Sequence, residues 1–151
     1  RHLRRLRPRL VRLHAAGERS PNVLALLAVE SFYRPRWRRA GEYALWIALS
    51  LAAPGRLARL SVGPAQVQLR HWRALGHLDG LRPTPARLAA VRDWAANARV
   101  CRDFLAARGA LDEPDPGRLT RLYTGWDRPG FARRLAAARS ATRQIVTGRG
   151  G

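Results

Sequence analysis

Glu30 is the residue of this chain whose type and position best suit acid catalysis. Residues 20–29 before it carry no charge, and Glu30 lies seven residues after Val23, so both fall on one face of a predicted apolar helix. A carboxylate among apolar neighbours is costly to ionise, and the carbonyl groups in the last turn of a helix oppose the anion further, so we expect a raised pKa. A carboxyl group that stays protonated near neutral pH can protonate a leaving oxygen.

Ion pairing is the alternative interpretation for this acid and for a second one. Arg34 lies four residues after Glu30 and could hold it as a charged partner. Glu42 follows Arg38 and Arg39 by four and three residues, which favours an ion pair on the surface. If Glu42 shared a cleft with Glu30, it would be a second carboxylate that orients water. We favour the surface ion pair for Glu42.

Short motifs follow one another in an order that is typical of one protein group. They are Ala28-Val29-Glu30-Ser31-Phe32-Tyr33-Arg34-Pro35, Ser61-Val62-Gly63-Pro64-Ala65-Gln66-Val67 and Leu122-Tyr123-Thr124-Gly125. They resemble the Glu-Ser, Gly-Leu-Met-Gln and Ala-Tyr-Asn-Ala-Gly motifs of the lytic transglycosylase and goose-type lysozyme group. The segment from Asn97 to Leu105 is similar to the helix of that group that carries an Asn and a Tyr-Leu pair. The resemblance covers about residues 20–146.

The chain also departs from the family pattern. A Pro-Ala pair stands where the second motif has Leu-Met, and Thr124 replaces an Asn in the third motif, which is one residue shorter. The stretch between Glu30 and Gln66 is longer than in the family because it holds an additional predicted helix. That helix carries Glu42, so the insertion could add a second carboxylate near the site.

The resemblance implies cleavage of the β-1,4 bond between N-acetylmuramic acid and N-acetylglucosamine in peptidoglycan. Glu30 would act as a general acid and then as a base, while a 1,6-anhydro sugar closes. Hydrolysis of the lysozyme type, with Glu42 assisting, is the alternative. The implied partners are peptidoglycan glycan strands, with anionic envelope polymers or a membrane surface as further candidates, and no cofactor or metal is implied. We expect a monomer in the periplasm or cell envelope.

The same resemblance implies a set of substrate-binding residues, namely Ser31, Ser61, Gly63, Gln66 and Tyr123. Gly63 would let the backbone approach a sugar closely, because no side chain intervenes. Gln66 offers a donor and an acceptor that match N-acetyl and hydroxyl groups. Tyr123 could donate its hydroxyl group to Glu30 or to substrate, or pack in the core. Ser31 could instead be a hydroxyl that bonds locally at a helix end.

The fold expected to position these residues is all-α, a single lysozyme-like domain whose buried central helix carries Glu30. Ser20 and Pro21 predict the start of that helix. Arg34 precedes a proline, which disfavours helical geometry, so the helix is predicted to end near Tyr33. Residues 20–146 would form the catalytic domain.

Further helices are predicted over residues 38–53, 64–76, 84–109, 118–123 and 129–146. Residues 1–19 predict a basic amphipathic lead-in helix, interrupted at Pro8. Its leucine stripe is expected to lie on the domain, with contact to a membrane or partner as the alternative. The last residues, 147–151, are predicted to form a frayed tail.

Charge leaves a second class of function open. The formal net charge is +19, and all 29 basic residues are arginines. A field this positive attracts polyanions, so a non-catalytic basic helical domain that binds peptidoglycan or nucleic acid is the competing hypothesis. We do not expect nucleic acid to be the partner, because no helix-turn-helix or zinc pattern occurs and an acid on an apolar stripe would have no role.

Cysteine and histidine provide little further chemistry. Cys101 is the only cysteine and falls in an Ala-rich helical pattern, so we expect a buried thiol. His71 and His77 have no ligand spacing with other candidates, so we expect no metal site. The longest apolar run, residues 44–53, is too short to span a bilayer. Because the sequence begins at Arg1, we expect a processed or trimmed form, and no signal peptide is expected within it.

Overall fold

The computed structural model describes residues 2–146, which are mostly helical, and the prediction of an all-α protein is confirmed. In chain order the elements are α1 (His2–Ala15), α2 (Pro21–Tyr33), α3 (Arg36–Ala52), a 3-10 helix (Pro54–Arg59), β1 (Ser61–Val62), β2 (Val67–Gln68), α4 (Leu69–Ala74), α5 (Pro85–Arg92), α6 (Trp94–Ala106), α7 (Pro116–Thr124) and α8 (Pro129–Val146). The strands β1 and β2 form a short antiparallel hairpin, in which Ser61 pairs with Gln68.

Helix α2 is the buried central helix that the sequence predicts. The side-chain oxygen of Ser20 caps it by accepting a hydrogen bond from the backbone N–H of Val23 at 3.3 Å. Pro21 occupies the first turn, where its missing N–H has no helical partner to lose. Every residue from Asn22 to Ser31 is buried, and the helix packs against α8, α6 and α1. The fold therefore presents Glu30 from the interior.

Helix α1 packs on the domain through its leucine stripe, as predicted. Leu6, Leu10 and Leu13 are buried, and the helix contacts α8, α2 and α6. The expected interruption at Pro8 is wrong, since α1 continues through it. A proline removes one backbone hydrogen bond, and burial of leucines on both sides of it compensates for that loss.

The predicted helix over residues 64–76 is wrong in its first half, which belongs to the hairpin. Gly63 and Gln66 have positive φ angles of 75° and 52°, which are incompatible with a right-handed helix. The backbone N–H of Ala65 donates to Oδ1 of Asn97 at 3.1 Å. This partner lies 32 residues further along the chain, so local sequence patterns do not reveal it.

The single helix predicted over residues 84–109 is divided into α5 and α6. Asp93 adopts an extended conformation between them, and its side chain accepts a hydrogen bond from the backbone N–H of Ala96 at 2.6 Å. An aspartate is more favourable as the N-terminal cap of a helix than in a helix interior, so α5 ends and α6 begins at this residue. Val91 of α5 and Ala98 of α6 are both buried, so each helix packs one side on the core.

The last two helices are close to their predicted bounds, and Gly125, with φ 86°, ends α7. The predicted tail, residues 147–151, lies outside the described residues. Cys101 is buried, as expected. Within residues 2–146, no cluster of three or more His, Cys, Asp or Glu side chains could hold a metal ion. None of the described helices has the length and apolar character needed to cross a membrane.

Candidate active site

A groove of about 790 Å³ opens at the C-terminal end of α2. Its other walls come from the first turn of α3, the hairpin, α4, the C-terminal parts of α6 and α7, and the start of α8. Among the lining residues that the structure describes, Glu30 is the only acid. The basic lining residues include five arginines, namely Arg34, Arg38, Arg70, Arg108 and Arg128. The groove thus combines one carboxyl group with a strongly positive surface.

Glu30 is almost fully buried in this groove. Its side chain is 8% exposed, and within residues 2–146 its carboxyl group forms no hydrogen bond or ion pair. Burial raises its pKa from 4.5 to about 7, because desolvation outweighs the opposing fields of Arg34 and Arg128, and Glu42 adds to the rise. The carboxyl group is therefore partly protonated at neutral pH, as the apolar flank of Glu30 predicts.

Glu42 is held by two residues of the groove lining. Nη1 of Arg34 donates to one carboxylate oxygen at 2.6 Å, and Nε2 of Gln66 donates to the other at 2.9 Å. The side chain of Glu42 is only 11% exposed. The expected surface ion pair is therefore a largely buried one with Arg34, because α3 packs against β1 and turns Glu42 toward the hairpin. Arg34, the alternative ion-pair partner of Glu30, is thus paired with Glu42 instead.

Two amide side chains of the hairpin line the groove. Nε2 of Gln66 also donates to the backbone oxygen of Gly63 at 2.9 Å, which fixes this side chain over the turn. The amide oxygens of Gln66 and Gln68 are buried and have no partner in the described part of the chain. Because both residues line the groove, their amide groups are suited to hydrogen bonds with a ligand's hydroxyl or amide groups.

Gly63 and Ser31, two of the predicted substrate-binding residues, lie outside the groove lining. A Cβ atom at Gly63 would lie 2.4 Å from Oδ1 of Asn97 and 2.4 Å from the backbone oxygen of Val91. Glycine is therefore required for close packing of the hairpin on the α5–α6 corner, and not for the approach of a sugar. Ser31 is buried, and its hydroxyl group has no hydrogen-bond partner within residues 2–146.

Tyr123 lines the groove and also packs in the core beneath it. Its hydroxyl group donates to the backbone oxygen of Ala65 in the hairpin turn. Its ring lies edge-on to Phe104 at 5.8 Å and is stacked with Phe131 at 6.4 Å. Burial raises its pKa well above the ordinary value, with a contribution from Glu30, so the phenol stays neutral. Tyr123 thus joins α7 to the hairpin.

Trp126 is a lining residue that sequence reasoning did not single out. It is 63% exposed, whereas Trp46 and Trp72 are fully buried. An exposed indole ring presents an apolar face and a polar N–H edge, which suits contact with a sugar ring. The signal was available, because Trp126 directly follows Gly125, which ends a helix, and a tryptophan in such a turn has no helix face to bury it.

The groove lining contains four of the residues singled out from the sequence, namely Glu30, Ser61, Gln66 and Tyr123. They come from α2, β1, the hairpin turn and α7, so the fold gathers distant segments at one place. Glu42 and Gly63 hold the hairpin from outside the lining. The chain has no significant match among protein-family models, curated proteins or solved structures. The groove and the motifs are thus the basis for assigning a function.

Proposed function

We propose that this protein is a glycosidase of the lytic transglycosylase and lysozyme type, with Glu30 as its catalytic acid. The observation that carries the proposal is a buried carboxyl group in an open groove, without a hydrogen-bond partner among residues 2–146 and with a pKa of about 7. Such a group is protonated in a large fraction of molecules at neutral pH and is accessible to a substrate. Those are the two requirements for protonating a glycosidic oxygen.

Glu30 serves the reaction in two steps. It first donates its proton to the oxygen of the scissile bond, so that the leaving sugar departs as an alcohol and positive charge develops at the anomeric carbon. The resulting carboxylate then accepts the proton of the C6 hydroxyl group as that oxygen attacks the anomeric carbon. A 1,6-anhydro ring closes, and Glu30 returns to its protonated form. The pKa near 7 suits both steps, because neither protonation state is strongly favoured.

The proposed substrate is a peptidoglycan glycan strand, which would place the protein in the periplasm or cell envelope. The motif resemblance supports this choice, and so does the groove chemistry. Gln66 and Gln68 provide buried acceptor oxygens for N-acetyl and hydroxyl groups, and Trp126 provides an exposed ring. The arginines of the lining suit a polymer that carries carboxylates.

The state of Glu42 favours transglycosylation over hydrolysis. An inverting hydrolase needs a second carboxylate that is free to activate water. Both oxygens of Glu42 are already engaged, by Arg34 and Gln66, and Glu42 is not part of the groove lining. We therefore expect Glu42→Gln to alter the hairpin and the pKa of Glu30 without changing the type of product.

Mass spectrometry of digested peptidoglycan tests the proposal in one experiment. Purified sacculi are incubated with the wild-type protein, with Glu30→Gln and with Glu42→Gln, and the released fragments are analysed. We expect 1,6-anhydro ends from the wild type and from Glu42→Gln, and no fragments from Glu30→Gln. Reducing ends that disappear in Glu42→Gln would instead assign hydrolysis with Glu42 as the base. Undiminished cleavage by Glu30→Gln would falsify the role of Glu30.

A binding protein without activity is the second candidate, and the five arginines of the groove are the observation in its favour. A positive groove binds an anionic polymer whether or not an acid turns it over. Retention of wild-type protein on sacculi without fragment release, unchanged in Glu30→Gln, would support this candidate. Tight, salt-sensitive binding to DNA together with no action on sacculi would assign the groove to nucleic acid.

A further inference from the structure

Three basic side chains, two arginines and a histidine, line one side of the groove without an acidic partner in the described part of the chain. Arg70 and His71 come from α4, and Arg108 follows the end of α6. Of the other arginines in the lining, Arg34 is paired with Glu42, the field of Arg128 acts on Glu30, and Arg38 is exposed. Arg70, His71 and Arg108 are called the basic cluster below.

Two members of the basic cluster, Arg108 and His71, lie against the ring of Phe104. The guanidinium carbon of Arg108 lies 3.7 Å from the centroid of its ring, and the ring of His71 meets it edge-on at 4.9 Å. Phe104 is itself 5% exposed and lies edge-on to Tyr123. Because these contacts fix Arg108 and His71 against one buried ring, their positions are set before a ligand arrives.

The members of the basic cluster are close enough to repel one another. Burial, then Arg108 and then Arg70 lower the pKa of His71, and burial and then Arg70 lower the pKa of Arg108. The two arginines carry like charges, and holding them near each other without a counter-charge costs free energy in the empty protein. An anion placed between them removes this repulsion and gains charge-assisted hydrogen bonds, so the arrangement favours oxyanion binding.

We propose that the basic cluster is an oxyanion subsite, which binds a carboxylate or phosphate group carried by the polymer that occupies the groove. It is linked to the acid through two rings, since Phe104 contacts both His71 and Tyr123, and the field of Glu30 acts on Tyr123. A glycan bound there would place a charged substituent at the cluster while its sugar backbone passes Glu30. The identity of the polymer rests on the proposed function, whereas the anion chemistry does not.

A charge-matched pair of double variants separates this subsite from the general positive field of the protein. Arg70→Gln/Arg108→Gln removes the two arginines of the cluster. Arg73→Gln/Arg99→Gln removes two exposed arginines, one in α4 and one in α6, that are not in the groove lining. Both pairs are made in the Glu30→Gln protein, so that bound strands are not cleaved, and circular dichroism verifies that each variant is folded.

The probes are peptide-free peptidoglycan glycan strands and the same strands with their carboxylates converted to amides, measured by calorimetry. With the cluster intact, we expect the native strand to bind about tenfold more tightly than the amidated strand. This preference is lost in Arg70→Gln/Arg108→Gln and kept in Arg73→Gln/Arg99→Gln. Equal affinities for the two strands, or equal losses in the two double variants, would overturn the subsite.

Inorganic phosphate is the probe for an anion that is not attached to a glycan. If neither strand binds any variant, the proposed function fails, and the subsite is then judged by phosphate alone. Phosphate is titrated into both double variants, and the chemical shifts of His71 are followed. Shift changes that occur in Arg73→Gln/Arg99→Gln but not in Arg70→Gln/Arg108→Gln would support an anion site for a different ligand. No difference between the two double variants would overturn it.

Discussion

Each end of α2 has a buried glutamate, and the surroundings of the two glutamates are opposite. Glu18 precedes the helix and is 4% exposed. It accepts hydrogen bonds from the backbone N–H of Ser20 at 2.8 Å and from Nε of Arg102 at 3.1 Å. Glu30 lies in the last turn and has neither kind of partner within residues 2–146. The helix dipole stabilises an anion at the first end and opposes it at the second. Glu18 therefore has hydrogen-bond donors on both sides of its carboxyl group, whereas Glu30 has none among these residues and has a raised pKa.

Burial alone does not distinguish the two kinds of glutamate. Glu113 is as buried as Glu30, at 8% exposure, but it accepts a hydrogen bond from the backbone N–H of Asp115 at 3.0 Å and pairs with Arg118 at 3.2 Å. In a chain with 29 arginines, a partner for a buried acid is easy to supply. The lack of such a partner at Glu30 within residues 2–146 is thus the informative feature. Whether a buried acid has hydrogen-bond and ion-pair partners distinguishes Glu30 from Glu113, whereas the extent of burial does not.

The largest expected effect is on catalysis. Glu30→Gln lowers the rate of sacculus cleavage roughly 100- to 10,000-fold, because the amide cannot donate a proton to the leaving oxygen. Glu18→Gln, a change of the same chemistry at the other end of α2, leaves the rate within about twofold of wild type when both are folded. Turbidity loss of a sacculus suspension measures both rates. Similar losses in the two variants would mean that Glu30 acts only through stability.

The next effect is the dependence of stability on pH. A glutamate in the unfolded chain has a pKa of 4.5, whereas that of Glu30 in the folded protein is about 7. Between these pH values the unfolded chain has released the proton that the folded protein still holds. The contribution of Glu30 to the free energy of unfolding is therefore complete below pH 4.5 and falls as pH rises to about 7, by about 3 kcal/mol in all.

Subtraction of the Glu30→Gln protein isolates this contribution from those of other titrating groups. Urea unfolding of both proteins at several pH values gives the difference in free energy of unfolding. We expect this difference to decline across the interval and to be flat above pH 8. A difference independent of pH would show that Glu30 is ionised in the folded protein, as a paired surface acid would be.

A smaller effect is expected at the other end of the helix. Glu18→Gln lowers the free energy of unfolding by about 2 kcal/mol, because Arg102 loses its anionic partner while the amide oxygen still accepts from Ser20. Urea unfolding at pH 7 measures the loss, and Glu30→Gln is the matched control with no comparable loss. An unchanged stability of Glu18→Gln would remove the contrast between the two ends.

The sequence predicts the helix that carries Glu30 better than the walls around it. The cap at Ser20, the apolar run and Pro35 are local signals, and α2 has the predicted bounds. The hairpin depends on Asn97, which bonds to the backbone of Ala65 and packs against Gly63. That contact is made between residues far apart in the chain, so a local reading assigns the hairpin to a helix.

The basic cluster lay beyond sequence reasoning for a related reason. Arg70 and Arg108 are 38 residues apart, in a chain where arginine occurs 29 times, so neither stands out by type or spacing. They come together because His71, which follows Arg70 in α4, meets the ring of Phe104 in α6, over which Arg108 also lies. Glu30 could be predicted from the sequence because acidic residues are few in this chain. The arginines near it could not be predicted, because arginine is common throughout the chain.

The smallest effect concerns the two serines at the ends of α2. Ser20→Ala removes the cap that accepts from Val23, so we expect a loss of about 1 kcal/mol in the free energy of unfolding.

Ser31 is buried with a hydroxyl group that has no partner in the described residues, so Ser31→Ala removes an unsatisfied polar group and leaves stability equal or slightly higher. Cleavage by Ser31→Ala stays at the wild-type rate, because this residue is not in the groove lining. Thermal unfolding and sacculus turbidity report the two quantities. A loss of cleavage with unchanged stability would return Ser31 to the substrate-binding residues, and a stability loss equal to that of Ser20→Ala would mean that the two ends of α2 are alike in their hydrogen bonding.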